Sequence, residues 1–431
     1  MRGKIRNHLA AITENDYLFS VIAKITGLCI GILLSSMSAR FFGAELKGVV
    51  AIIENDVSIY SIFLGCGIYQ AYPFFKKREK DIFQPYLNNI SSLFILLEVM
   101  AFLIACGIFF RGGNVYLVIA IIMMPVAAYI KQLNYVVLIE APRRRNLSSM
   151  IISMSEVVVL TGFMVFARAD VYSVIAFYCI AQILNLILSF INLRINPLTI
   201  RFSVCRLWDF AKFGFIPMLV YLCMTINYKI DIQMLKWIGS VPYEEIGIYA
   251  TGVALAGKVW IIPDAIKDIL LSKLVKGSKE DEVARMIRIN LLICVVAMVC
   301  IIFFGRSVVL FLYGSEFEDT YYVMILMLTG VLGMIFYKMV YSYNIAQGKR
   351  TVNLVFLGVA AVVNIVGNLI LIPIMGIWGA GCMSVISYCI CGLCFLLYFH
   401  KKSGIKIRDI VFIRKEDILR MTEFIGLTKG R

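Results

Sequence analysis

Twelve apolar runs fill most of this chain, and each is long enough to cross a bilayer as a helix. They fall at 17–39, 49–75, 88–110, 114–140, 148–168, 171–193, 212–236, 246–273, 289–313, 320–346, 351–373 and 378–399. A helix needs about 20 apolar residues to span the hydrocarbon, whereas a barrel strand needs only about 9–11. Lipid offers no partner to a bare backbone N–H or C=O, so runs of this length predict helices. The composition agrees: 61% of residues are hydrophobic and 16% charged, against roughly 45–50% and about 25% in soluble domains. The fold class predicted is an all-α polytopic membrane protein.

The formal net charge of +15 would suit nucleic acid in a soluble protein. Here the loops account for it. Counted over alternating loops, one side holds twenty-one Lys and Arg, before nine more in the C-terminal tail, and the other holds Arg40, Lys47, Arg111, Arg168 and Arg306. Cytoplasmic loops collect basic residues, so both termini are expected in the cytoplasm and no nucleic-acid partner is expected. The basic N-terminus precedes a run too long for a signal-peptide core, so it is expected to lead into an uncleaved first span. The tail, with Ile405, Ile407, Ile410, Ile413, Ile418, Leu419 and Phe424 among basic residues, is expected either to lie on the membrane surface or to be a disordered basic segment.

Enzyme motifs are missing. The sequence has no GxxxxGK[ST] loop and no HExxH or GxSxG, so neither P-loop nor zincin nor esterase chemistry is expected. His8 and His400 are the only histidines and both lie outside the spans. Most of the twelve cysteines sit inside apolar runs, including the Cys391/Cys394 pair, and are expected to be small packing residues rather than metal ligands or disulfides. No cofactor is expected.

The chain repeats itself. Ala39-Arg-Phe-Phe-Gly-Ala-Glu-Leu-Lys-Gly48 joins spans 1 and 2, and Leu235-Lys-Trp-Ile-Gly-Ser-Val-Pro-Tyr-Glu-Glu-Ile-Gly247 joins spans 7 and 8. Each is a helix end, a glycine turn, an acidic residue and a glycine. Lys131 precedes Asn146 by the same interval as Lys338 precedes Asn353, and Glu140-Ala-Pro-Arg aligns with Gln347-Gly-Lys-Arg. The expected domains are a six-helix bundle over 1–205, a second over 206–400, and a basic tail over 401–431. An even number of spans makes the repeats parallel, with the substrate held between them.

Charges lie inside the spans: Lys24, Glu54, Asp56, Glu98, Lys131, Glu156, Lys229, Asp231, Lys258, Asp264 and Lys338. Facing lipid, these would cost roughly 30 kcal/mol together, so they are expected to face the bundle interior or water. Ser20, Lys24, Gly27, Gly31, Ser35 and Ser38 share one helical face, as do Glu54, Ser58, Ser61 and Gly65; small residues in such stripes also serve helix packing. Lys267 and Asp268 lie nearer the end of span 8, where snorkelling to the interface accounts for them equally well. Span 8 also holds Pro263, which removes a helical hydrogen bond and is expected to kink it.

Fragments spread over residues 10–400 resemble the Wzx-type polysaccharide-export flippases of the multidrug/oligosaccharidyl-lipid/polysaccharide exporter superfamily. They are the 39–48 segment, Asp231 with Gly247-Ile-Tyr249, Leu312-Tyr-Gly-Ser-Glu-Phe317, Ala346-Gln-Gly-Lys349, Asn364, Asn368 and Leu371-Ile-Pro-Ile-Met-Gly-Ile-Trp-Gly-Ala-Gly381. The resemblance implies two six-helix bundles around a central cavity in a bacterial cytoplasmic membrane. It implies transfer of an undecaprenyl-pyrophosphate-linked oligosaccharide, for O-antigen, capsule or exopolysaccharide, to the outer leaflet without ATP, coupled to H⁺ or Na⁺. Membrane lipids and other polysaccharide-assembly membrane proteins are the further partners it suggests. Related lipid II flippases typically have fourteen spans, and twelve argue against that branch.

On this basis Lys24, Lys131, Lys229, Lys258 and Lys338 are the candidate ligands for pyrophosphate and sugar acids, with Lys258 the leading one. Glu54, Asp56, Glu98, Asp231 and Asp264 are the candidates for charge balance and ion coupling. Three alternatives stand beside this: a multidrug/cation antiporter of the same fold, which should favour an acidic cavity; a membrane glycosyltransferase or polymerase, for which the external loops are too short; and a non-transporting scaffold, which the interior charges disfavour.

Overall fold

The computed structural model describes residues 16–79, 81–193, 202–275, 277, 279–414 and 416–417. Among them there is no strand. The helices are α1 (Asp16–Gly65), α2 (Tyr72–Arg78), α3 (Phe83–Phe110), α4 (Val115–Glu140), α5 (Pro142–Phe166), α6 (Val171–Leu193), α7 (Val204–Trp237), α8 (Tyr243–Val259), α9 (Ile261–Val275), α10 (Glu280–Tyr313), α11 (Glu318–Ala346), α12 (Arg350–Ser403) and α13 (Ile407–Val411). A 3₁₀ turn at Ile68–Gln70 separates α1 from α2.

Among the described residues, ten helical runs are long and apolar enough to cross a membrane. Two of them contain a sharp bend, which yields the twelve spans. In α1 the bend is at Gly43, with φ 72°; in α12 it is at Gly376, with φ 54°. A side chain with a Cβ resists positive φ by roughly 1–2 kcal/mol, and glycine does not. Each of these glycines sits in a segment singled out in the sequence. The protein is a multi-pass membrane protein.

The chain forms two compact units, one up to Met218 and one from Leu219 onward. The first has an aromatic core in which Tyr72, Tyr86 and Phe210 are fully buried. Phe94 stacks flat on Tyr129 at 4.5 Å, and the Tyr129 hydroxyl lies 2.6 Å from Ser91 Oγ. At the α2–α4 contact Glu140 accepts from both Tyr72 and Lys76, so a carboxylate at the end of span 4 is anchored by a helix that follows span 2.

In the second unit α11 is the most buried helix. Its contact with α12 is very close: a Cβ built on Gly392 would lie 2.1 Å from the Gly333 carbonyl oxygen. Small residues permit such approach where lipid gives helices no hydrophobic drive to associate. The amide pair Asn344–Asn353, Nδ2 to Oδ1 at 2.8 Å and fully buried, ties the end of α11 to the start of α12.

One boundary differs from the apolar run. Helix α10 begins at Glu280, not at 289. Hydropathy marks where apolar residues begin, whereas the backbone helix runs on through the polar turns before them. The described part of the tail packs on the helical body. Ile410 on α13 is fully buried, and Asp417 is buried against Arg288 of α10. Arg288 sits 5% exposed, and a buried guanidinium needs an anion; the tail supplies it. Residues 418–431, with Ile418, Leu419 and Phe424, lie outside the described residues.

Candidate functional site

The sharpest feature of the second unit is the break in span 8. Pro263 has no N–H, so the Val259 carbonyl loses its helical partner. The chain turns at Trp260, whose N–H bonds Gly257 O at 3.2 Å in place of the usual i−4 carbonyl, and the helix restarts with Asp264 N–H on Trp260 O at 3.0 Å. The kink expected at Pro263 is thus a one-residue break at Trp260 between α8 and α9.

The break brings Asp264 to α11. Lys338 Nζ lies 2.9 Å from Asp264 Oδ1, and Lys267 Nζ lies 3.2 Å from the same oxygen. The Lys338 side chain is 7% exposed, that of Asp264 45%. The ammonium also sits 4.7 Å from the centre of the Trp260 ring, where the ring's negative face adds about 0.5–2 kcal/mol. Tyr228 packs on Trp260 at 4.4 Å and Tyr388 at 5.8 Å. Trp260 Nε1 and the Tyr228 hydroxyl are buried with no hydrogen-bond partner among the described residues. A buried cation, two idle donors and an aromatic wall thus surround a carboxylate that is itself accessible.

The first unit carries a related arrangement. Lys131 of α4 sits 5.3 Å from the Tyr69 ring centre, and Tyr69 lies on the 3₁₀ turn that follows span 2. In each unit, then, a lysine on the fourth span covers an aromatic at the broken end of the second span. Cys66 and Gly67, with φ 45° and 65°, mark that break in the first unit.

Asp231 is placed differently. It is 1% exposed. It accepts from the Tyr249 hydroxyl at 2.5 Å and from Ser384 Oγ at 3.0 Å, and its Oδ1 caps the Ile232 N–H at 2.8 Å. Asn364 donates to Ser384, and Asn368 Nδ2 donates to Asn364 Oδ1 at 2.9 Å. Asn368 Oδ1 is buried and unpartnered among the described residues. This is an oxygen-rich network on α7, α8 and α12 with no lysine in it.

The remaining candidates are more scattered. Lys258 is half-buried and makes no hydrogen bond or ion pair with another described residue. Lys229 is half-buried, two positions before Asp231, and residues two apart on a helix face nearly opposite ways. Asp56 is half-buried and Glu54 exposed. Glu98 is half-buried, with Oε2 unpartnered among the described residues. The Lys24 side chain lies outside the described residues. No group of three or more His, Cys, Asp or Glu fit to hold a metal occurs among the described residues, and all twelve cysteines are free thiols.

Sequence reasoning passed over the aromatics Trp260, Tyr69, Tyr228 and Tyr388, and over Ser384. A signal existed for the first two: each lies close to a proline (Pro263, Pro73) at the end of equivalent spans.

No family model matches the chain, and no curated protein matches it. Solved structures do share its fold. It is similar to the lipid II flippase MurJ in an inward closed conformation, with a TM-score of 0.72, 14% identity, and coverage of 96% of this chain and 94% of that one. It is also similar to an inward-facing multidrug resistance MATE family transporter of the MOP superfamily, with a TM-score of 0.67, 14% identity and coverage of 89% and 98%. A MATE in complex with MaL6 gives 0.58, 14%, 90% and 96%. The fold is that of the MurJ and MATE transporters.

Proposed function

We propose that this protein is a transporter rather than an enzyme, and specifically a flippase for an undecaprenyl-pyrophosphate-linked oligosaccharide. The observation that carries the proposal is the Lys338–Asp264 pair. A buried ammonium is held by a carboxylate that is only half-buried, at a break in the helix, beside two donors that have no partner among the described residues. An incoming pyrophosphate offers the lysine a stronger anion and the donors their missing acceptors, while Asp264 is free to swing to Lys267 or to water. Lysine acts on phosphate as a point charge, so the site tolerates different glycans. Lys131 over Tyr69 is the equivalent group in the first unit, and Lys24, Lys229 and Lys258 are secondary contributors. The fold shared with MurJ supports a lipid-linked cargo.

Coupling to H⁺ or Na⁺ is assigned to Asp231, because its carboxylate and the idle Asn368 Oδ1 are oxygens buried without a lysine. Glu54, Asp56 and Glu98 serve charge balance. The proposed setting is a bacterial cytoplasmic membrane with both termini inside, and the product is an O-antigen, capsule or exopolysaccharide repeat unit on the outer leaflet. The same lysine-free Asp231 network favours the second reading, a MATE-type cation antiporter.

The test is flipping of a fluorescent undecaprenyl-pyrophosphate oligosaccharide in proteoliposomes. Lys338→Ala should reduce the rate at least about tenfold, the loss of one charge-assisted contact, and Lys258→Ala by less. Full-rate transport in Lys338→Ala, or drug-cation export without lipid flipping, defeats the proposal.

A further inference from the structure

The first unit contains a polar cavity of about 460 Å³ whose lining includes neither Lys131 nor Tyr69. One wall is a single face of α5. Arg145, Ser149, Ser153 and Glu156 all line it, at steps of four, four and three, which is one helical stripe. Eleven residues of helix rise about 16 Å, so the stripe is long enough for more than one sugar ring. The facing wall carries the amides Asn134 of α4 and Asn185 of α6, bonded to each other at 3.3 Å. Gly27 of α1 also lines the cavity, and a Cβ there would meet nothing within 4 Å.

The side chains of Arg145, Asn146, Ser149 and Ser153 make no hydrogen bond or ion pair with another described residue. A charge, an amide and two hydroxyls therefore line one cavity with no partner among the described residues. The chemistry selects the ligand. A phosphate presents acceptors only and would meet the Glu156 carboxylate. An acyl chain would meet a wall whose apolar members are little more than Ala23 and Ile152. A chain of sugar hydroxyls donates and accepts at once, and an acetamido group offers an N–H to Glu156 and a carbonyl to Ser153 or an asparagine.

We propose that this groove is an oligosaccharide-binding site, fitted to acetamido sugars, which holds the glycan within the first unit. The proposal rests on the flippase reading for the identity of the cargo, but the groove is tested without transport. The full chain in lipid nanodiscs is titrated with soluble chitotriose, with maltotriose and inorganic pyrophosphate as comparison probes. Chitotriose should bind saturably and more tightly than maltotriose. Ser153→Leu, which fills the groove, should weaken it by at least about tenfold, and Glu156→Gln, which keeps the shape, by about threefold or more. Lys338→Ala should leave chitotriose binding unchanged. Absence of saturable chitotriose binding, or binding that neither groove variant weakens, overturns the site. If Ser153→Leu does not fold, Glu156→Gln decides. Chitotriose binding without lipid flipping retires the flippase reading and keeps the groove; flipping without chitotriose binding does the reverse.

Discussion

Lys338 Nζ lies 2.9 Å from Asp264 Oδ1, and the two partners are unequally buried, at 7% and 45% side-chain exposure. The lysine cannot reach water on its own and depends on the carboxylate. The carboxylate can leave. That asymmetry is what a site needs if an anionic ligand is to take the carboxylate's place.

It predicts an asymmetric mutational response. Asp264→Asn strands a buried cation, for which full burial would cost about 3–5 kcal/mol; the exposure of Asp264 and the nearby Lys267 reduce this to roughly 1–3 kcal/mol. Lys338→Met leaves a carboxylate that solvent and Lys267 still serve, so it should cost less. The double variant should be more stable than Asp264→Asn alone. Thermal unfolding in nanodiscs measures all three, and equal losses in the two single variants would contradict the asymmetry.

Pro263 is predicted to control the same pair through the backbone. In Pro263→Ala the Val259 carbonyl regains a helical donor, and α8 and α9 should join. Asp264 would rotate away from α11. The expected result is a folded protein of equal or higher melting temperature with transport slowed several-fold. Flipping rate and thermal unfolding, measured together, check it.

The tail ion pair gives a pH prediction. Burial pushes the Asp417 carboxyl up, but hydrogen bonds from Arg288 and the Arg414 N–H, with the charges of Arg288 and Arg285, outweigh it and hold the group below its usual 3.8. A carboxyl with a depressed folded value contributes stability above its unfolded value, and that contribution is lost as pH falls through the folded one. The tail should therefore stay docked at neutral pH and loosen below about pH 4. Asp417→Asn should loosen it at pH 7, seen as faster protease cleavage near Ser403–Ile407. Arg288→Ala, which leaves Asp417 buried with only Arg285 at 3.8 Å and the Arg414 N–H for partners, should cost roughly 1–3 kcal/mol.

Asp231→Asn is predicted to separate coupling from binding. The Tyr249 and Ser384 hydroxyls still find an acceptor in the amide oxygen, so folding should survive with a loss of about 1–2 kcal/mol. Flipping driven by an imposed Na⁺ or H⁺ gradient should lose its dependence on whichever ion acts. Gradient dependence equal to that of the unaltered protein would remove Asp231 from this role.

The spans were legible because hydropathy is local: each residue states its own preference for lipid, and twenty in a row settle the matter. Gly43 and Pro263 were legible as interruptions for a similar reason, since positive φ and a missing N–H belong to single residues, whereas the bend at Gly376 came only with the structure. The repeat was visible through Lys131 and Lys338. What it did not disclose was that each lysine covers an aromatic, Tyr69 or Trp260, on another span.

By itself, then, the sequence determined a helical membrane protein with charges that lipid cannot accommodate, and where some of its helices bend. Only the tertiary structure decided the partners. Asp231 and Asp264 look alike as intramembrane acids, yet one joins hydroxyls and amides and the other a lysine. Arg288 reads as one more basic loop residue until Asp417, 129 positions later, folds back onto it. Pairing energies depend on distances between elements far apart in the chain, and those distances exist only once the helices have packed.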